Sequence, residues 1–214
     1  MTTHITITSG QKDAESPIDV NLIGQMIDNP SAGLEGDSSA PTRGAGVILD
    51  NGSLSSSSSL DIDMTTFTAW RNKILVLDSF IPSSDGQNLN FKVSTNGGST
   101  FDGDTGNYTY SKKQHSSTPS SSDTGGTNST LVLGTAIGTG TGEACHTIIT
   151  MFDTTNVAAY PMFRIDSVFY NSSPTMNIYS YAGVRTAAQD TDAVRVAFAS
   201  GNIASGNWAL LGYN

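Results

Sequence analysis

Cysteine is nearly absent from this chain: Cys145 stands alone, so no intrachain disulfide can form. A reducing compartment suits that composition better than disulfide-dependent secretion. Stability has to come from a packed core, and 214 residues suffice to bury one. Charge is scarce as well, at 14% of residues, and the densest basic pair is Lys112-Lys113. Phosphate backbones demand clustered Lys and Arg, so nucleic-acid binding is not expected. No apolar run approaches a membrane-spanning length, which argues against membrane insertion. The start, Met1-Thr2-Thr3-His4-Ile5, lacks a basic segment followed by an apolar one, so no signal peptide is expected. Histidine is rare too: His4, His115 and His146 are not at metal-ligand spacing from one another. Neither a Gly-x-Ser-x-Gly elbow nor a phosphate loop occurs.

What is plentiful is Ser, Thr, Gly and Asn, alongside 36% hydrophobic residues and a net charge of −9. The apolar residues come in alternating runs, which argues for strands with polar outer faces rather than disorder. One helix signal stands apart. Ser16 reads as an N-cap, Pro17 as the first helical position and Asp19 as the acidic capping partner. Ile18, Leu22, Ile23, Met26 and Ile27 follow at helical spacing until Asn29-Pro30 ends the run. A helix over 17–29 is too short to stand alone. Its apolar stripe is expected to dock on a partner or on copies of itself. Residues 31–59 hold Gly33, Gly36, Pro41, Gly44, Gly46, Gly52 and the serines Ser55 to Ser59, the composition of an extended arm.

From Asp61 onward the pattern is all-β. The expected strands are 74–81, 89–93, 108–110, 130–133, 145–152, 162–170, 176–184, 194–199 and 208–213, with a turn at Asn96-Gly97-Gly98 and a polar loop over 111–128. Short strands separated by turn signals predict a jelly-roll-like antiparallel β-sandwich over 60–214, preceded by a docking segment over 1–59.

Candidate chemistry is thin. Cys145 and His146 are adjacent in a strand and would face opposite ways, Cys145 into the core. Asp102-Gly103-Asp104-Thr105-Gly106-Asn107 resembles a calcium loop but lacks the acidic spacing and terminal Glu, so a hairpin turn is expected. Asp61 and Asp63 have the look of a paired-acid site but follow a serine run without an aromatic cluster. No catalytic set, metal or cofactor emerges, and the expected class is non-enzymatic. Tyr108, Tyr110, Tyr179 and Tyr181 are the candidates for an exposed surface that stacks on sugar rings.

Three segments carry a resemblance. Ser200 to Tyr213, SGNIASGNWALLGY, is similar to the closing strand pair of β-sandwich domains in tailed-phage structural proteins. Asp85 to Phe101, DGQNLNFKVSTNGGSTF, resembles an earlier hairpin of the same domains. Ser16 to Leu22, SPIDVNL, with Asn29 resembles the attachment segments of phage fibre-like proteins. The resemblance implies a homotrimeric virion protein, assembled in the host bacterial cytoplasm, which contacts other virion proteins through its N-terminal segment and projects its β-domain outward. Long fibres carry repetitive shafts, and this chain has none, which points to a short tail or baseplate appendage or a head-decoration protein. The alternative is a carbohydrate-binding module that recognises a host-surface glycan.

Overall fold

The structure, a computed structural model, describes residues 46–118 and 120–213. The predicted helix over 17–29, with Ile18, Leu22, Ile23, Met26 and Ile27, lies outside them. Within the described residues the chain is all-β. Its strands are β1 (Val47–Ser57), β2 (Leu60–Asp63), β3 (Asn72–Pro82), β4 (Gln87–Ser94), β5 (Tyr108–Ser116), β6 (Ser120–Asn128), β7 (Leu131–Ile137), β8 (Cys145–Phe152), β9 (Met162–Tyr170), β10 (Met176–Arg185), β11 (Ala193–Phe198) and β12 (Ile203–Tyr213).

Two sheets form. The wide one has eight strands in the order β1-β12-β3-β8-β9-β10-β5-β6, and the small one has four in the order β2-β11-β4-β7. Neighbouring strands run antiparallel in both. Strict alternation explains why the sheets stack. In β9, Phe163, Ile165, Ser167 and Phe169 point inward and are buried, while Met162, Arg164, Asp166, Val168 and Tyr170 point out. The inner faces meet as a β-sandwich core. Phe91 of the small sheet meets Phe163 of the wide sheet edge-on, with ring centroids 5.4 Å apart and planes at 70°. Some polar side chains facing inward pair with one another: Thr147 Oγ1 donates to Ser167 Oγ at 3.0 Å and lies 3.4 Å from Cys145 Sγ.

Two expectations need correction. The span assigned to an extended arm contains β1, an edge strand of the wide sheet. Val47 is buried and Leu49 and Leu54 pack against the core from it, but its second half is Ser-rich and carries little apolar signal. Gly52 has a packing reason, because a Cβ there would come within 3.1 Å of Trp208 Nε1. The serine run then turns the chain from one sheet to the other between β1 and β2, with Ser56 at φ 54°. The domain therefore starts ahead of residue 60, and its compact unit spans Ile48–Gly212. The second correction concerns 111–128, which is no loop but most of the hairpin β5–β6. That hairpin lies at the end of the wide sheet, where burial does not impose an apolar face, so no apolar alternation continues past Tyr110.

The long β4–β5 connection is pinned by a buried ion pair. Arg185, at the end of β10, donates from Nε to Asp102 Oδ2 at 2.7 Å and from an Nη to Oδ1 at 3.0 Å. Both side chains are close to nine-tenths buried. Removing one partner from such a pair strands the other charge. Asp102→Ala is expected to lower unfolding stability in urea by about 3–5 kcal/mol, and adding Arg185→Met should restore most of the loss.

Candidate functional site

The residues singled out from sequence are scattered by the fold. Cys145 is fully buried, and desolvation pushes its thiol up to about 12, against the lowering effect of the Thr147 hydroxyl. His146 faces the opposite way, onto the outer face of the wide sheet, where Nδ1 lies 2.8 Å from Asp78 Oδ1. His115 is exposed on β5. Asp61 forms a two-pronged pair with Arg195, and Asp63 accepts the Thr65 amide at 2.9 Å in the turn that follows β2. Asp102 is the buried ion-pair partner of Arg185, and the Asp104 carbonyl accepts from the Asn107 amide in a turn. Among the described residues no group of three or more His, Cys, Asp or Glu is placed to hold a metal ion.

The four tyrosines do not make an exposed sugar platform. Tyr108, Tyr179 and Tyr181 point inward from β5 and β10 and are buried, and Tyr110 is half-buried. The Tyr108 hydroxyl accepts the Val93 amide at 2.8 Å, and the Tyr181 hydroxyl donates to the Val132 carbonyl at 2.8 Å. In β5 and β10 the inward positions are odd-spaced partners across the pair: Tyr181 faces Lys112 and Gly183 faces Tyr110. Burial of the aromatic face follows from that register.

Two features remain that can bind something. The first is the outer face of the wide sheet. Val76 lies opposite Ile148, and Val168 lies between His146 and Ile178. Ile148, Val168 and Ile178 expose 50%, 44% and 39% of their surface and form one contiguous apolar band. Polar pairs flank them. Arg164 Nε donates to Asp166 Oδ2 at 3.1 Å, Ser180 Oγ donates to Asp166 Oδ1 at 2.6 Å, and Asp78 is taken up by His146.

The second feature is a cavity of about 110 Å3 between β5 and β10 of the wide sheet and β7, the edge strand of the small one. The wide sheet extends beyond the small sheet here, so its inner face runs out from cover. Lys112 and Tyr110 come from β5, Tyr181 from β10, and Asn88, Asn128 and Thr130 from the opposite rim. Gly183 leaves room for Leu131, because a Cβ at 183 would come within 2.7 Å of the leucine side chain. The Lys112 ammonium sits 3.9 Å from the centroid of the Tyr179 ring. Desolvation lowers the Lys112 pKa. Tyr110 and Tyr181 meet edge-on with centroids 6.3 Å apart.

No family model, curated protein or solved structure matches the chain.

Lys112 is the site residue that the sequence pattern hid. Read as half of a solvated basic pair in a loop, it alternates with Lys113 in a strand, Lys112 inward and Lys113 exposed. The alternation Tyr108, Tyr110, Lys112, Gln114 is the signal that could have found it, had the strand been continued past Tyr110.

A different lysine is purely internal. Lys73 is fully buried in β3, where its ammonium donates to the Trp70 carbonyl at 2.9 Å and to Thr154 Oγ1 at 2.6 Å. Desolvation lowers its pKa to about 8 from 10.5. Between those values the unfolded chain binds more protons than the folded one at this site, so stability rises with pH across the window. Thermal melts from pH 7 to 10.5 should show wild type gaining on Lys73→Met from about pH 8 upward. A constant difference between the two proteins would remove Lys73 as the cause.

Proposed function

We propose that the chain is a non-enzymatic structural protein of a virus particle, a short tail or baseplate appendage or a head-decoration protein of a tailed phage, built on a jelly-roll sandwich. The strand order carries this reading. With the hairpin β5–β6 and the pair β9–β10 set aside, the remaining strands in chain order are β1, β2, β3, β4, β7, β8, β11 and β12. Numbered one to eight, they fall in the orders 1-8-3-6 in the wide sheet and 2-7-4-5 in the small sheet. That interleaving supports a jelly-roll plan, an architecture used by viral capsid proteins and also by lectins and cupins. Because one fold hosts many functions, the assignment to a particle rests on the surface as well as on the topology.

The surface supports assembly. On a chain of net charge −9, the apolar band of Ile148, Val168 and Ile178 is bordered by polar groups that already satisfy one another, Arg164 with Asp166 and Asp78 with His146. Two copies can meet there without the charge repulsion they would suffer elsewhere. The occupant proposed for this face is a second copy of the chain, and the resemblance adds the expectation of a homo-oligomer. The stripe Ile18, Leu22, Ile23, Met26 and Ile27 would then attach the oligomer to other virion proteins.

Two measurements test the proposal. Light scattering after size exclusion should find the full chain oligomeric and the variant carrying Ile148→Asp and Val168→Asp monomeric, with an unchanged melting temperature because both positions are exposed. A wild-type monomer at every concentration, or a variant that still assembles, overturns the interface. Antibody labelling of purified particles should find the chain bound, and Leu22→Asp with Met26→Asp should remove it; particles without the wild-type chain overturn the virion assignment.

A further inference from the structure

We infer that the cavity lined by Lys112, Tyr110 and Tyr181 binds the carboxylate of a small acidic ligand, a site separate from the assembly face. Three observations converge. Lys112 is a partly desolvated cation, and among the described residues no carboxylate pairs with it; its ammonium lies over the face of Tyr179. A cation held in that way favours an incoming anion, because the anion replaces water that burial has already thinned.

The rim supplies further donors. Asn88 and Asn128 use their side-chain oxygens on the Ala136 and Ser129 amides, at 2.9 Å and 2.8 Å, which leaves each amide NH2 without a partner among the described residues. The Tyr110 hydroxyl has none either, whereas those of Tyr179 and Tyr181 are engaged with Thr135 Oγ1 and the Val132 carbonyl. Open amide and hydroxyl donors thus line the cavity rim beside the Lys112 cation. A neutral sugar can hydrogen-bond to the same rim but carries no charge to answer that of Lys112.

Charge and size narrow the class. One lysine matches a monoanion; a phosphate dianion would be left half-compensated in a protein of net charge −9. About 110 Å3 is smaller than the roughly 300–1,000 Å3 pockets that enclose drug-sized ligands, so the cavity suits a carboxylate and its adjoining carbons. The apolar floor of Leu131 and the Tyr181 ring can cover those carbons. The carboxylate could come from a free short-chain acid or from a uronic-acid unit of a polysaccharide. In the second case the rest of the sugar would lie along the uncovered inner face of β5, past Gln114.

The test is a titration of the full-length chain with sodium acetate, sodium glucuronate and glucose, at ionic strength held constant with sodium chloride and followed by calorimetry and by NMR. At least one carboxylate should bind saturably and glucose should not. Saturation should move the side-chain resonances of Lys112 and leave those of Lys113, its exposed neighbour, in place. Lys112→Met should weaken binding tenfold or more, and Lys112→Arg should retain it. Glucuronate binding tenfold tighter than acetate identifies the sugar source; equal affinities identify a free acid. The inference is overturned if neither carboxylate saturates, if glucose binds as tightly, if Lys112 and Lys113 respond alike, or if Lys112→Met binds like wild type.

Discussion

Contact between the inner faces of two unequal sheets governs this protein. Phe91 and Phe163 meet edge-on across that contact, and around them Leu75, Leu77, Leu131, Ile149 and Ile165 are fully buried. Burial of apolar surface on this scale outweighs the ordering of the chain only where both faces are apolar. Four strands cannot cover eight, however, and every unusual feature of the molecule lies where the cover ends or where the wide sheet turns its back on it.

Past β7 the inner face of the wide sheet is polar and half-exposed, and Lys112 and Tyr110 stand there with an incomplete set of partners. The hairpin β5–β6 shows the same mismatch in sequence: β6 is built of Ser, Thr, Gly, Asp and Asn because neither of its faces has a core to meet. On the outer face the logic reverses. Ile148, Val168 and Ile178 alternate correctly for a strand whose second side is also to be covered, and nothing within the compact unit covers them. Two ionic side chains inside the fold, by contrast, are paired internally. Arg185 with Asp102 and Lys73 with Thr154 tie distant segments together with their hydrogen bonds made internally. A buried ion pair adds little net stability against an apolar substitute, but it fixes which loop lies against which strand.

Legibility in the sequence followed burial. The strands Cys145–Phe152 and Met162–Tyr170 begin and end where alternation predicts, because each has one fully buried face. Strand β1 and residues 111–128 of the hairpin β5–β6 carry the composition of an arm and a loop, because strands at or near a sheet edge need few apolar residues. The opposed facing of Cys145 and His146 was legible from adjacency alone. The burial of Tyr179 and Tyr181 was not, because period-2 alternation groups residues on a face without saying which face meets the other sheet.

By itself the sequence determined that this is a β-protein with a core and no intrachain disulfide, because composition and period-2 alternation are local properties and a lone cysteine has no partner in its own chain. It also determined which residues share a strand face. Only the tertiary structure decided which of those faces is inside, that Asp102 would spend its charge on Arg185, and that Lys112 would lie beside an open cavity. Those outcomes depend on strand order and on the unequal width of the sheets, which are set by contacts between residues far apart in the chain.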